Sequence, residues 1–397
     1  MWAIIATLLS FAFSFVLMQK KIPFGISLLA GSALLGVLTL SIPTIVESVV
    51  RTVLDPVTIE LVVTTALISS LGFLYEIMDK LRAMTDNLEK IVSDKRAIAM
   101  AIPALFGTLP VYGGALISAP FIKAEGEKMG MGNGKSAFVN LWFRHVFHFM
   151  WPLIPPLIFI AYLSGVSVSS IAIRGLPAVI VGVLLGFVLG LRNVTSIKQQ
   201  MSINRESIGS VLQLISPIAI AVFLTLAFGV KTFISVAIGI CVLIVISKPS
   251  FSSLVSVFRR KELIHLALAA TAAMIFKNVV QSSQLPQTIV DLTQSTSTPW
   301  LLLLIAIPLT LGVLIGDHTT PVVISVPILT AIASLNPSSA NIVFISGYIG
   351  YFISPLHLCL VVSNEYFKTR VLDVYRLLLP AALSVLVVSI AFSAPFI

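Results

Sequence analysis

Apolar runs of about 20 residues recur from one end of the chain to the other, and a run of that length crosses a bilayer as a helix. They fall at roughly 2–18, 22–42, 57–78, 136–163, 171–191, 211–229, 232–247, 262–281, 340–363 and 372–395. In hydrocarbon every backbone N–H and C=O must be satisfied inside the segment, so about 10 transmembrane helices imply an all-α polytopic membrane protein. Only 10% of the residues are charged, against about 25% in soluble domains. The first run, Ile4–Met18, is followed by Gln19-Lys20-Lys21. A cleaved signal has its basic residues first, so this reads as a retained helix.

Two further apolar stretches, 97–122 and 300–334, are broken halfway by Pro and Gly. They read as two re-entrant hairpins that enter and leave on one side, since broken backbone at membrane depth needs protein or a cavity around it. That layout fixes which loops share a side. Of the 25 Lys and Arg, 20 then fall on one side, four (Arg51, Arg174, Lys231 and Lys277) on the other, and Arg144 lies within a span. The positive-inside rule makes the basic side cytoplasmic, with both termini extracytoplasmic in the cell (plasma) membrane. The net charge of +9 is thereby a matter of topology, and no nucleic acid is implied.

The chain also contains itself twice. Pro103-Ala-Leu-Phe-Gly107 parallels Pro308-Leu-Thr-Leu-Gly312, Ser118-Ala-Pro120 parallels Ser325-Val-Pro327, and Phe149-Met-Trp-Pro152 parallels Phe352-Ile-Ser-Pro355. Pro152 to Pro177 is 25 residues, as is Pro355 to Pro380. Repeat 1 is then 1–200: scaffold spans 1–78, an interfacial helix 79–95, hairpin 97–122, broken span 136–163 and span 171–191. Repeat 2 is 205–397: scaffold spans 211–281, hairpin 300–334, broken span 340–363 and span 372–395. Five full spans per half is an odd number, so the second half is an inverted-topology repeat, as in many secondary transporters. In 79–95, Leu81, Met84, Leu88, Ile91 and Val92 share one helical face, which suits a helix lying in the membrane interface. A more polar counterpart falls at 283–298.

Arg144 is the sharpest chemical signal. It lies about eight residues into its span, roughly 12 Å along a helix, where an ionisable residue is a functional candidate. Asn140, Arg144 and His148 are spaced i, i+4, i+8 ahead of Pro152. A guanidinium with five donors suits a carboxylate or phosphate. The alternatives are that Arg144 snorkels to the surface or pairs with an acid. His148 can hydrogen-bond an anion or carry a proton; neighbouring His145 points elsewhere and reads as structural. His357 follows the second break. Asp317, the acid nearest a hairpin tip, either pairs with Arg144, takes up the coupling ion together with His318, or holds the tip. Thr108, Gly113 and Gly114 in the first hairpin, Thr319 and Thr320 in the second, and Ser354 at the second break complete the substrate-binding candidates. Ser363 and Asn364 read as too near the cytoplasmic end. The two cysteines, Cys241 and Cys359, lie in apolar segments and suggest neither a disulfide framework nor a metal site.

"GYIGYFISPLHLCLVVSNEYF" (347–367) together with "IGDHTTP" (315–321) resembles a prokaryotic integral membrane family without an assigned function. The whole pattern is similar, more distantly, to the ion transporter superfamily, with its gluconate permeases, divalent-anion/sodium symporters and citrate carriers. The resemblance implies a scaffold from the first three spans of each half and a transport domain from the rest. It also implies a homodimer and, in several relatives, elevator-type movement. The sodium-coupled members carry Ser-Asn-Thr at their hairpin tips. Here the tips read Gly107-Thr108-Leu109-Pro110 and His318-Thr319-Thr320-Pro321, which departs from sodium coupling.

No cofactor-binding, metalloprotease, Walker or paired-aspartate motif is present, so the chain does not read as an enzyme. The expected function is a secondary active transporter of a small organic anion by alternating access, proton-coupled, with membrane lipid as its surroundings. A sodium-coupled carrier, an ion channel, and an intramembrane enzyme acting on lipid or peptide are the readings left open.

Overall fold

The computed structural model describes residues 2–77, 87–88, 90–108, 114–198, 205–296 and 298–397, and among them the regular structure is entirely helical. Helix α1 (Trp2–Gln19), α2 (Phe24–Thr39), α3 (Ile42–Leu54) and α4 (Pro56–Ile77) come first. Then follow α5 (Lys95–Thr108), α6 (Gly114–Lys128), α7 (Asn133–Val146), α8 (Pro155–Ser164), α9 (Val168–Arg174) and α10 (Leu176–Gly186). The second half contains α11 (Arg205–Phe228), α12 (Thr232–Ser247), α13 (Phe251–Phe258), α14 (Lys261–Ser282) and α15 (Leu285–Thr296). It ends with α16 (Trp300–Ile315), α17 (Thr320–Ile332), α18 (Pro337–Ile353), α19 (Leu358–Tyr366) and α20 (Val371–Ser393).

Among the described residues six helical segments are long and apolar enough to cross a membrane, or seven with the bent pair α9–α10. Three of the expected spans fall short. Helices α2 and α12 have 16 residues each, about 24 Å of rise, less than a hydrocarbon core of about 30 Å. The third, 136–163, is split: α7 stops at Val146, a 3-10 turn covers Phe147–Phe149, and α8 begins only at Pro155. Proline explains that split, because Pro152, Pro155 and Pro156 cannot donate to a preceding turn. Most of the expected interfacial helix 79–95 lies outside the described residues.

Two short helices were not expected. Helix α3 has its N-cap at Ser41, whose side chain accepts from the Thr44 amide at 3.4 Å, and Pro43 in its first turn. Its polar face carries Glu47 and Arg51, paired at 2.6 Å. Helix α13 is capped in the same way by Ser250, which accepts from Ser253.

The helices pack as two groups. One joins α1–α4 with α11–α14; the other joins the pairs α5–α6 and α16–α17 with α7–α10 and α18–α20. Within the second group the backbones meet without side chains between them. A Cβ on Gly107 of α5 would collide with the Arg144 carbonyl of α7, and one on Gly312 of α16 with the Gly347 carbonyl of α18. Only glycine permits that approach.

Several loops bond to one another. At one end Lys95 N donates to Ile197 O (3.1 Å), Thr195 N to Met129 O (3.3 Å), and Arg260 pairs with Glu76 at 3.0 Å. At the other end Lys231 pairs with Glu60 at 2.7 Å, Asn336 donates to Phe396 O at 2.9 Å, and Trp2 donates to Leu38 O at 2.9 Å.

Candidate functional site

The two breaks bring polar side chains inside an apolar bundle. Helix α7 delivers Asn140, Arg144 and His145, and its 3-10 continuation delivers His148. Helix α18 delivers Tyr348 and Tyr351, and the turn after it delivers Ser354 and His357. The second hairpin adds His318 from the loop between α16 and α17. Four of the chain's five histidines therefore meet here; only His265 is elsewhere.

Ring geometry fixes the cluster. His145 lies 5.4 Å from His148 and 5.1 Å from His357, both edge-on. Tyr351 lies 4.1 Å from His357 and 5.3 Å from His318. Tyr348 lies 5.8 Å from His148 and 5.5 Å from Tyr351.

Hydrogen bonds assign the tautomers, because a carbonyl can only accept. His148 Nε2 donates to Gly107 O at 2.6 Å, so its Nδ1 accepts from the Tyr348 hydroxyl at 2.5 Å. Both of its nitrogens are thus spent on tying α5 and α18 to the break. His145 Nδ1 donates to Leu141 O at 2.7 Å, leaving Nε2 as an acceptor 3.5 Å from the Tyr351 hydroxyl. His357 Nδ1 donates to Phe352 O at 3.3 Å, and its Nε2 is buried with no hydrogen-bond partner. One ring nitrogen each of His145 and His357, together with Sγ of Cys359, lie within 4.8 Å of one another, the one group among the described residues with a donor set fit for a metal ion.

Arg144 is only 8% exposed, and its Nη1 is buried without a partner. Among the described residues no side chain forms an ion pair or hydrogen bond with it. A buried charge without partner or water carries a desolvation cost of several kcal/mol. Ser346 Oγ and both amide atoms of Asn364 are also buried and unpartnered.

The other sequence candidates take the following places. Asn140 accepts from Ser118 at 2.6 Å and donates to Ser363 at 3.5 Å, so Ser363, set aside on the sequence, joins the layer below the histidines. Asp317 does not pair with Arg144. Its Oδ1 accepts from the amides of Thr319 (2.9 Å) and Thr320 (2.7 Å) and from the Thr320 hydroxyl (2.7 Å), and its Oδ2 faces His318 at 3.5 Å. This caps the first turn of α17, satisfying amides that the helix leaves free. Thr319 Oγ1 bonds His318 Nδ1 at 3.0 Å. The Ser354 hydroxyl donates to Val313 O at 2.7 Å, fastening the second break to α16. Thr108 donates to Leu105 O at 2.9 Å within its own helix. Gly114 opens α6, and Gly113 lies outside the described residues.

His145 is a correction: it enters the cluster rather than pointing away. The chain turns from α-helix to 3-10 geometry just after it, and residues three apart then eclipse, which puts His145 beside His148. Tyr348, Tyr351 and Cys359 were missed as well. Their segment, 347–367, carries the resemblance, and its tyrosines, histidine and cysteine set among apolar residues are the available signal.

Fold and site together define a polytopic, all-helical membrane protein with a polar, histidine-rich centre between two broken segments. The chain belongs to the family described as "Protein of unknown function (DUF401)", whose model matches residues 2–394. That family is the part of the resemblance that stands; neither comparison speaks to gluconate permeases or the wider superfamily. No curated protein matches the sequence. Among solved structures the fold is similar to that of the Alcanivorax borkumensis YdaH transporter, described as having an unusual topology. The match has a TM-score of 0.61 at 13% identity and covers 98% of this chain and 97% of that one.

Proposed function

We propose that the protein is a secondary active transporter of a small organic anion, coupled to protons and working by alternating access. The observation that carries this reading is Arg144, a buried guanidinium with no partner among the described residues. An anion entering the bundle would supply the missing counter-charge, and a charge-assisted bond to arginine is among the stronger polar contacts available. His357 Nε2 offers a further unsatisfied group near it. Coupling is assigned to Asp317 and His318, which sit together at the tip of the second hairpin.

The wider similarity to the ion transporter superfamily, with re-entrant hairpins, an inverted repeat and an elevator movement, belongs to the same proposal. Supporting it, Gly107 meets Arg144 and Gly312 meets Gly347. Arg144 and Gly347 are 203 residues apart, the same separation as the anchors Phe149 and Phe352. The division into two packing groups supports a scaffold and a transport domain. Two assignments rest on sequence alone: a homodimer in the cell membrane, and both termini outside it. The full-length neighbour being described as a transporter supports the class of activity.

The test is uptake by proteoliposomes. Labelled mono- and dicarboxylates, sulfonates and phosphate esters are offered under an imposed pH gradient. The expected result is gradient-driven accumulation of one class, lost in Arg144→Gln. Uptake that survives Arg144→Gln with unchanged affinity would remove Arg144 from the site, and absence of uptake for every class in folded protein would end the transporter reading.

A further inference from the structure

The three side chains His145, His357 and Cys359 form a second chemical feature, which shares only His357 with the proposed anion site. They come from both broken segments: His145 from α7, and His357 and Cys359 from the turn and first residues that open α19. His145 and His357 are 3% and 0% exposed.

The arrangement has the order of a metal site. Each imidazole gives its Nδ1 proton to a backbone carbonyl, Leu141 O for His145 and Phe352 O for His357. A ligating histidine is held in this way, with the outer nitrogen fixing the tautomer and ring orientation so that the inner one presents its lone pair. One nitrogen of each ring and Cys359 Sγ lie within 4.8 Å of one another, and Nε2 is the nitrogen that the backbone bonds leave open on both. Nitrogen and sulfur ligands at about 2.0–2.3 Å from a tetrahedral ion stand roughly 3.3–3.6 Å apart, so at most about 1.5 Å of closure is needed. His357 Nε2 gives an independent indication, being a buried acceptor with no partner. Leaving such a group bare costs about 1–3 kcal/mol, and a metal ion would use it.

We propose that the protein binds one borderline-soft divalent transition-metal cation of the zinc class through His145 Nε2, His357 Nε2 and the Cys359 thiolate. Binding releases the thiol proton to solvent. Imidazole and thiolate together select zinc over magnesium or calcium, which take oxygen ligands. Three protein ligands leave the fourth position for a water or an anion, as in zinc sites that act on a ligand rather than merely hold a fold. Tyr351 stands at the edge of the site, its hydroxyl 3.5 Å from His145 Nε2 and its ring 4.1 Å from that of His357. The ion would join α7 to the second break.

The experiment uses the full chain purified in detergent, stripped with chelator and titrated with Co2+ as a spectroscopic stand-in. One equivalent should give a thiolate-to-cobalt band in the near ultraviolet and the strong visible bands of four-coordination, both displaced by Zn2+. Cys359→Ser should abolish the near-ultraviolet band, and His357→Ala should weaken binding more than about tenfold. Cys241→Ser and His265→Ala, which change residues outside the cluster, should leave the spectra intact. On the unaltered chain, Zn2+ should protect Cys359 from maleimide, read by peptide mass, so the result does not hang on a variant that folds. Lack of a one-to-one cobalt spectrum, or a spectrum and protection that do not involve Cys359, would overturn the assignment. The readout is metal and not transport, so the anion reading fails or stands separately.

Discussion

Replacing Arg144 by Met should make the protein more stable while ending anion binding. Met keeps an unbranched apolar stem and removes the charge. Arg144 stands eleven residues after Asn133, the first residue of α7, or about 16 Å along the axis. That exceeds the reach of its own side chain, so snorkelling back to the start of the helix does not relieve it. Insertion scales put an arginine at mid-bilayer at about 2.5–3.5 kcal/mol, and buried charges replaced by fitting apolar groups commonly return stability. Discounting for the 8% of the residue still exposed, the expected gain is about 2 kcal/mol. Soluble domains of 150–250 residues shift by about 2–4 °C per kcal/mol, and a longer chain shifts less, so the melting point should rise by a few degrees. The assay is thermal unfolding of purified Arg144→Met and Arg144→Lys followed by tryptophan fluorescence, with and without the anion panel. Wild type and Arg144→Lys should be raised by a bound anion, and Arg144→Met should not. If Arg144→Met melts several degrees below wild type while Arg144→Lys is neutral, Arg144 has a structural counter-charge and the reasoning is wrong.

Asp317→Ala should lose the α17 cap at about 1 kcal/mol, whereas Asp317→Asn keeps an acceptor and should melt near wild type; in proteoliposomes Asp317→Asn should lose proton-driven accumulation while exchange of anion persists. Equal melting of the two variants would show that Oδ1 is not a cap. Gly107→Ala should cost more than about 2 kcal/mol, because its Cβ meets backbone that cannot rotate away, while Gly209→Ala, with open space beside it, should be tolerated; matched unfolding curves check both. Glu125→Gln should cost about 3 kcal/mol, since it leaves the nearly buried Lys95 without its counter-charge, measured by unfolding at low and high salt. The Arg96 hydrogen bonds hold the Asp94 carboxyl below the usual carboxylate range. Its contribution is therefore full above the ordinary carboxylate pKa and lost as pH falls through the lowered one; smaller hydrogen-exchange protection factors at 94–95 and 195–198 on acidification, after correction for the intrinsic rate, are the expected sign.

Hydropathy and proline positions made most of the helices legible, down to the split at Pro152, because bilayer thickness leaves few ways to satisfy the backbone. Helices α3 and α13 escaped because eight to thirteen residues of mixed polarity look like a loop. Their Ser-capped starts, Ser41 before Pro43 and Ser250 before Phe251, were the signal to weigh. The site was legible in part. Arg144, His148 and His357 stand out in an apolar chain, but their partners do not, since Tyr348 lies 200 residues from His148 and only folding sets them together. His145 was set aside by extending an α-helix through a stretch that turns 3-10. For Asp317 charge alone leaves open a pair with Arg144, the coupling ion and holding the tip, and three donors within three residues claim its oxygen for the last.

The glycine contacts bear on where this molecule can yield. At Gly107 against Arg144 and Gly312 against Gly347 the chains touch main chain to main chain, with no rotatable side chain to act as a cushion. Such a joint has almost no give: sliding one partner past the other drives peptide groups into each other long before a rotamer changes. The hairpin arms and the broken segments are thereby locked as one stiff block, and deformation is diverted to softer seams. One is the junction where Lys231 and Tyr162 both reach Glu60, held by bonds that can break and re-form singly. Stiffness at the centre and compliance at the rim are set by three glycines whose contribution here is to be small.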